Sequence, residues 1–215
     1  MNSLCTNGKT YRSLDLSTNC PKRQAGKPCS YCYVETARKT GIRAKQVHDK
    51  LDYNNDILGL KQDTIDKLNT MGGLRLFSFG DYMEWMDEDL MKIISDAKEK
   101  GLKLKAITKV PEFVHKYHDH IDLINVSVDN LNEGMDINVA KQLKNMYDNV
   151  RIRAAIMNEN DISALSWVDV LTLNHARNGY HVFTPTEKAK IGEQYPDKLC
   201  CATNKCETCK IKCGK

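Results

Sequence analysis

Strand-like and helix-like segments alternate along most of this 215-residue chain. Strand patterns fall at 12–18, 74–79, 102–108, 123–128, 150–156 and 168–173, and helical patterns at 32–39, 60–68, 87–100, 111–117 and 136–146. The clearest helix is 87–100, where Leu90, Ile93, Ile94 and Ala97 recur at spacings of three and four and Gly101 stops the run. Strands separated by helices pair in parallel, because the helix supplies the crossover that returns the chain to the same end of the sheet. The pattern predicts an α/β fold, a partial (β/α)6 barrel of parallel strands. A closed eight-unit barrel usually takes about 250 residues, more than are present. Residues 1–190 would form the barrel and 191–215 a short cysteine-rich segment.

Reactive groups in parallel α/β folds gather at the carboxyl ends of the strands. The first strand leads to Cys20. The second ends Phe77-Ser78-Phe79-Gly80-Asp81, where a glycine allows close approach to the backbone and a carboxylate follows. The third ends at Thr108-Lys109. On the fourth, Asn125, Ser127 and Asp129 share one face and Val126 and Val128 the other; on the fifth, Arg151 and Arg153 share a face with Ile152 opposite. A polar strand face belongs beside a cavity or ligand. The competing reading is that these polar side chains pair with one another inside the barrel.

Two cysteine groups remain. Cys20, Cys29 and Cys32 form a C-x8-C-x2-C loop. Three thiolates can hold a four-iron cluster and leave one iron open for chemistry. A zinc site, a redox or disulfide pair at Cys29 and Cys32, and free structural thiols are the alternatives. The tail places Cys200, Cys201, Cys206, Cys209 and Cys213 within 14 residues, among small and charged neighbours that offer little to pack against. They read as ligands of a closed site, with Cys200 or Cys201 as the fourth beside Cys206, Cys209 and Cys213. Cys5 stands apart as a spare thiol. His115, His118 and His120 read as a solvated face, and Trp85 and Trp167 as packing residues.

The loop that ends Cys29-Ser30-Tyr31-Cys32 resembles the cluster loop of the radical S-adenosylmethionine (SAM) superfamily, usually C-x3-C-x-aromatic-C, with Tyr31 at the aromatic position. Five extra residues separate the first two cysteines, and lengthening a loop by so little costs a fraction of a kcal/mol. The chain also resembles short radical SAM-like proteins carried by phages. The resemblance implies a [4Fe-4S] cluster on Cys20, Cys29 and Cys32 with SAM on the open iron. An electron from the cluster then cleaves SAM to methionine and a 5′-deoxyadenosyl radical, which abstracts hydrogen from a substrate. It implies that Gly80 and Asp81 answer to the segment that holds the SAM amino group, with Ser78 and Lys109 beside it. Ser127 or Asp129 would approach the ribose and Arg153 the carboxylate. It further implies a flavodoxin- or ferredoxin-type electron donor, and it favours a second [4Fe-4S] cluster over zinc at the C-terminal cysteines. An iron–sulfur or zinc protein without SAM chemistry, either an electron carrier or a nucleic-acid-binding module, is the competing reading.

Composition sets the remaining bounds. No apolar run approaches the roughly 18 residues that would span a bilayer, and Met1-Asn2-Ser3-Leu4-Cys5 lacks the basic and apolar regions of a signal peptide. The expectation is a cytoplasmic protein without membrane partners, its clustered cysteines kept reduced as ligands. A net charge of +4 permits a nucleic-acid or peptide substrate and implies neither.

Overall fold

The computed structural model describes residues 4–7, 11–14, 16, 20–26, 29, 57–77, 80–173 and 181–200. Eight strands pair in chain order: β1 (Leu4–Asn7), β2 (Tyr11–Leu14), β3 (Leu74–Leu76), β4 (Leu104–Thr108), β5 (Leu123–Val128), β6 (Val150–Ile156), β7 (Val170–Leu173) and β8 (Leu199–Cys200). β1 runs antiparallel to β2, and every neighbouring pair from β2 to β8 is parallel. The described helices are α1 (Pro21–Gln24), α2 (Gln62–Thr70), α3 (Asp87–Glu99), α4 (Pro111–Tyr117), α5 (Ile137–Met146), α6 (Glu159–Ala164) and α7 (Pro185–Gln194). Strands in sequential order, joined by crossovers of one hand, put all their helices on one face. The sheet curls away from that face and stays open between β1 and β8 among the described residues. It is the partial barrel of parallel strands that the alternation implied.

Strand periodicity divides the side chains. On β6, Val150, Ile152, Ala154 and Ile156 are buried, while Arg151, Arg153 and Ala155 on the other face are partly exposed. The apolar set joins the matching positions Leu76, Ala106, Val126 and Leu171 in one core with Leu68 of α2, Leu90 and Ile93 of α3, Phe113 of α4 and Leu143 of α5. The helical spacing expected for α3 is thus the spacing that buries it. The opposite, concave face forms the lumen.

A carboxylate fixes α3 against α4. Asp87, in the first turn of α3, accepts hydrogen bonds from Tyr82 Oη (2.8 Å), Tyr117 Oη (2.5 Å) and Lys116 Nζ. Burial raises the Asp87 carboxyl, but these donors outweigh it and hold it below its ordinary value. Tyr82 and Tyr117 are pushed up, by burial first, then by their hydrogen bonds to Asp87 and by its charge. His115 and His118 gather around Tyr147, with His115 Nδ1 2.9 Å from its hydroxyl and the His118 ring stacked at 3.9 Å. Trp85 and Trp167 depart from expectation, for each leaves about two fifths of its surface exposed. Lys141 Nζ lies 4.5 Å over the Trp167 ring, an arrangement that suits an aromatic with one face in water. No helix among the described residues is long and apolar enough to cross a membrane.

At the amino ends of β3 and β4 the backbones come too close for a side chain. Gly73 has φ +104°, and a Cβ there would lie 2.4 Å from the carbonyl oxygen of Lys103, which accepts from Leu74 N. Gly101 also has positive φ (+64°), but open space surrounds it. Gly101→Ala should therefore cost about 1–2 kcal/mol, the left-handed backbone alone. Gly73→Ala should cost distinctly more, because the clash is with backbone that cannot move without breaking the β3–β4 pairing. Urea denaturation of the two variants measures the difference, and equal losses would count against the close approach.

Candidate functional site

The loops that leave β2, β4 and β5 meet at the carboxyl end of the sheet, and they meet on one backbone atom. The carbonyl oxygen of Glu133 accepts from Lys109 Nζ (3.3 Å), from the Cys29 thiol (3.4 Å) and from Lys22 Nζ. Lys109 Nζ also donates to Cys29 Sγ at 3.1 Å. Lys22 belongs to the single turn α1, which begins directly after Cys20. Cys20 and Cys29 are both half-buried. A segment carrying two of the three loop cysteines is thereby fastened to the loops after β4 and β5.

Each partner is positioned by its own local structure. Asp129 Oδ1 accepts from Leu131 N (2.9 Å) and Glu133 N (3.0 Å), closing the chain into a tight turn after β5. Asn132 lies in that turn at φ +56°, a conformation asparagine tolerates well. Gly134 then passes so close to β5 that a Cβ would lie 2.7 Å from the Ser127 carbonyl oxygen, to which Met135 N donates at 2.8 Å. The turn therefore presents the Glu133 carbonyl to the two lysines and the thiol. Lys109 is fixed from the other side. Buried Asp81 accepts from Lys109 N (2.8 Å), Thr108 Oγ1 (2.6 Å) and Tyr82 N (2.8 Å). That carboxylate ties the end of β3 to the end of β4 and sets where the Lys109 side chain starts.

The structure thus brings Cys29 and Lys109 into contact and seats Asp81 and Asp129 as the residues that shape their surroundings. Gly80 is half-buried and directly precedes Asp81. Ser127 is buried on the lumen face. Arg153, in register with Ser127, donates from Nε to Thr172 Oγ1 of β7 at 2.7 Å. The cysteine Cys200 closes β8, where its backbone is in register with Thr172. Tyr31, Cys32, Ser78, Cys201, Cys206, Cys209 and Cys213 lie outside the described residues. Sequence reasoning passed over Lys22, Glu133 and Gly134. A backbone carbonyl carries no sequence signature, and the turn-forming run Asp-Asn-Leu-Asn-Glu-Gly at 129–134 was the available signal.

Among the described residues, Glu159, His181 and Glu187 also bring candidate ligand atoms within 4.8 Å of one another. Their present bonds have a structural purpose. Glu187 and Thr184 form the reciprocal capping box of α7, and His181 Nε2 lies 2.9 Å from Glu187 Oε1. Compared with known proteins, the chain matches no protein-family model and no curated protein.

Burial pushes the Asp81 carboxyl up from its ordinary value of 3.8, against the opposing hydrogen bonds of Thr108, Lys109 and Tyr82. A folded value above the unfolded one means that the protonated carboxyl favours the fold. Its contribution is full below the unfolded value and is lost as pH rises through the folded one. The urea midpoint of the native protein should therefore decline with rising pH across that window relative to Asp81→Asn, whose side chain does not titrate. A midpoint difference independent of pH would show that burial does not dominate at Asp81.

Proposed function

We propose that this chain is a small radical SAM enzyme. Cys20, Cys29 and Cys32 would hold a [4Fe-4S] cluster at the mouth of the partial barrel, with SAM on its open iron. The observation that supports the reading is the fastening of the cysteine loop over the carboxyl ends of β4 and β5 through the Glu133 carbonyl. That is the face where parallel α/β folds carry their chemistry.

The donor set fits the group. A cluster on thiolate ligands carries negative charge, and Lys22 and Lys109 bring two ammonium groups to the same carbonyl that meets Cys29. Hydrogen bonds to ligating sulfur tune such clusters, and Lys109 Nζ already donates to Cys29 Sγ. When bound, the cluster supplies the electron that cleaves SAM into methionine and the radical that abstracts hydrogen from the substrate. The residues of the chain have the other tasks. Asp81 sets Lys109, Lys109 neutralises charge beside Cys29, and the Asp129–Gly134 turn holds the loop in place. Arg153, steadied by Thr172, would take the SAM carboxylate, and Ser127, in register beside it, would face the ribose. The C-terminal cysteines would hold a second [4Fe-4S] cluster or a zinc ion, and a flavodoxin- or ferredoxin-type protein would deliver the electron.

Anaerobic reconstitution followed by SAM and dithionite tests the proposal. The protein should take up about eight irons if both sites hold four-iron clusters, and should release 5′-deoxyadenosine. Cys29→Ala and Cys32→Ala should abolish release. Arg153→Ala should weaken SAM binding by about 1.5–3 kcal/mol, the value of a hydrogen bond to a charged group. Lys109→Met should leave a cluster that is harder to reduce, since a positive charge beside the sulfur is gone. A fully loaded cluster that neither responds to SAM nor cleaves it would favour an iron–sulfur protein without SAM chemistry. Zinc alone would end the proposal.

A further inference from the structure

The loops that leave β6 and β7 bring three ligating side chains together at the carboxyl end of the sheet. Glu159 opens α6, which follows β6, and His181 and Glu187 flank the start of α7, which follows β7. One ligand atom from each lies within 4.8 Å of the other two. Among the described residues neither carboxylate pairs with a lysine or an arginine.

Each of the three is held by its own loop. Asn158 and Asp161 form the reciprocal capping box that starts α6, and Asp161 Oδ1 accepts from Asn130 Nδ2 of the loop after β5 at 3.0 Å. Thr184 and Glu187 form the capping box of α7. Hydrogen bonds with Thr184, its backbone N–H first, hold the Glu187 carboxyl down at about 2. Glu187 Oε2 accepts from Thr184 N, which leaves Oε1 facing His181 Nε2 at 2.9 Å. The His181 ring stands edge-on to buried Phe183, with centroids 4.7 Å apart. A capping glutamate suits a helix start without a histidine opposite it. Nor does capping call for a second carboxylate, Glu159, whose charge repels that of Glu187.

We infer that Glu159, His181 and Glu187 bind a first-row divalent metal ion. Two ligands at about 2.1 Å from one ion lie about 3 Å apart when adjacent in an octahedron and about 3.4 Å apart in a tetrahedron. The 2.9 Å between His181 Nε2 and Glu187 Oε1 is close to that spacing. Glu159 is exposed, and turning its side chain by about 1–2 Å brings the third ligand into place. One imidazole nitrogen with two carboxylate oxygens suits Mn2+, Fe2+ or Zn2+ better than Mg2+ and Ca2+, which take oxygen alone. Three protein ligands leave coordination positions for water or for a substrate oxygen. The ion would tie the loop after β7 to the start of α6. No cysteine takes part, so the site is independent of the cluster chemistry.

Mn2+ is the probe, because it prefers oxygen and imidazole to thiolate and so leaves the nine cysteines aside. It is titrated into the full chain, whose iron and zinc content is measured beforehand. The electron paramagnetic resonance signal of free Mn2+ should fall until a single ion is bound per chain, and spin-echo spectra of the bound ion should show coupling to an imidazole nitrogen. His181→Ala should remove that coupling. His181→Ala and Glu159→Gln should each weaken binding about tenfold or more. Glu159→Gln leaves the α6 capping box of Asn158 and Asp161 untouched, so its loss of affinity reports the lost ligand. Saturating Mn2+ should raise the melting temperature of the native protein more than that of Glu159→Gln. No binding at millimolar Mn2+, bound Mn2+ without nitrogen coupling, or full affinity in either variant would overturn the site. Absence of SAM cleavage changes none of these expectations, and failure to bind Mn2+ leaves the cysteine chemistry untouched, so the two proposals fail separately.

Discussion

Parallel pairing in chain order is the constraint from which the rest of this structure follows. Each strand from β2 to β8 enters the sheet at the same end and leaves at the other, so every βα loop is delivered to one rim, beside the loops of its neighbours. Residues distant in sequence, Lys22 and Cys29 after β2, Lys109 after β4 and Glu133 after β5, can then converge on a single carbonyl oxygen. The same constraint makes the strands present alternate residues to two unlike environments. One is an apolar layer under the helices, and the other is the polar concave face of the open sheet.

The two ends of that lumen differ in how their charges are held. At the mouth, the ammonium groups of Lys22 and Lys109 meet the Glu133 carbonyl, and Lys109 also meets the Cys29 thiol. On the floor, Lys105 Nζ donates to the Met71 carbonyl at 2.5 Å, while Arg75 and Arg151 face inward from β3 and β6. A fold of this kind hosts many chemistries. The functional argument therefore rests on these side chains and not on the barrel.

Much of the fold was legible because its long strands and helices repeat their pattern. β5 and β6 occupy the bounds that apolar–polar alternation marked at 123–128 and 150–156, and α4 those marked at 111–117. Shorter or interrupted elements were less visible. β3 ends at Leu76 and not at 79, because Phe77 turns to φ +58° with its ring edge-on to Phe113 at 5.0 Å. β7 starts at Val170, two residues late, since Asp169 turns its carboxylate to Ile152 N and Lys144. α7 escaped the hydrophobic pattern altogether, although Thr184-Pro185-Thr186-Glu187 spells a capping box. A two-residue strand such as β8 has no period to read. In the site, thiols, lysines and acids were legible as reactive types, whereas their assembly on the Glu133 carbonyl depended on a turn whose clearest mark is one glycine.

The acids at the strand ends show why residue type alone misassigns roles. Asp81 after β3, Asp129 after β5 and Asp161 in α6 after β6 are all buried, and each carboxylate accepts backbone N–H groups at the rim, Asp129 and Asp161 from their own loops and Asp81 from its own and from the loop after β4. Parallel strands leave such N–H groups exposed where the chain turns away from the sheet, and a buried donor without an acceptor is costly. An aspartate within a few residues of the strand end has a side chain short enough to satisfy two of them at once. In this chain the carboxylates are spent on shaping the rim, and the groups left facing inward are lysines, arginines, a thiol and a carbonyl oxygen. The rim acids thus make the site as scaffold, by fixing the loops that carry Lys109 and the Glu133 carbonyl.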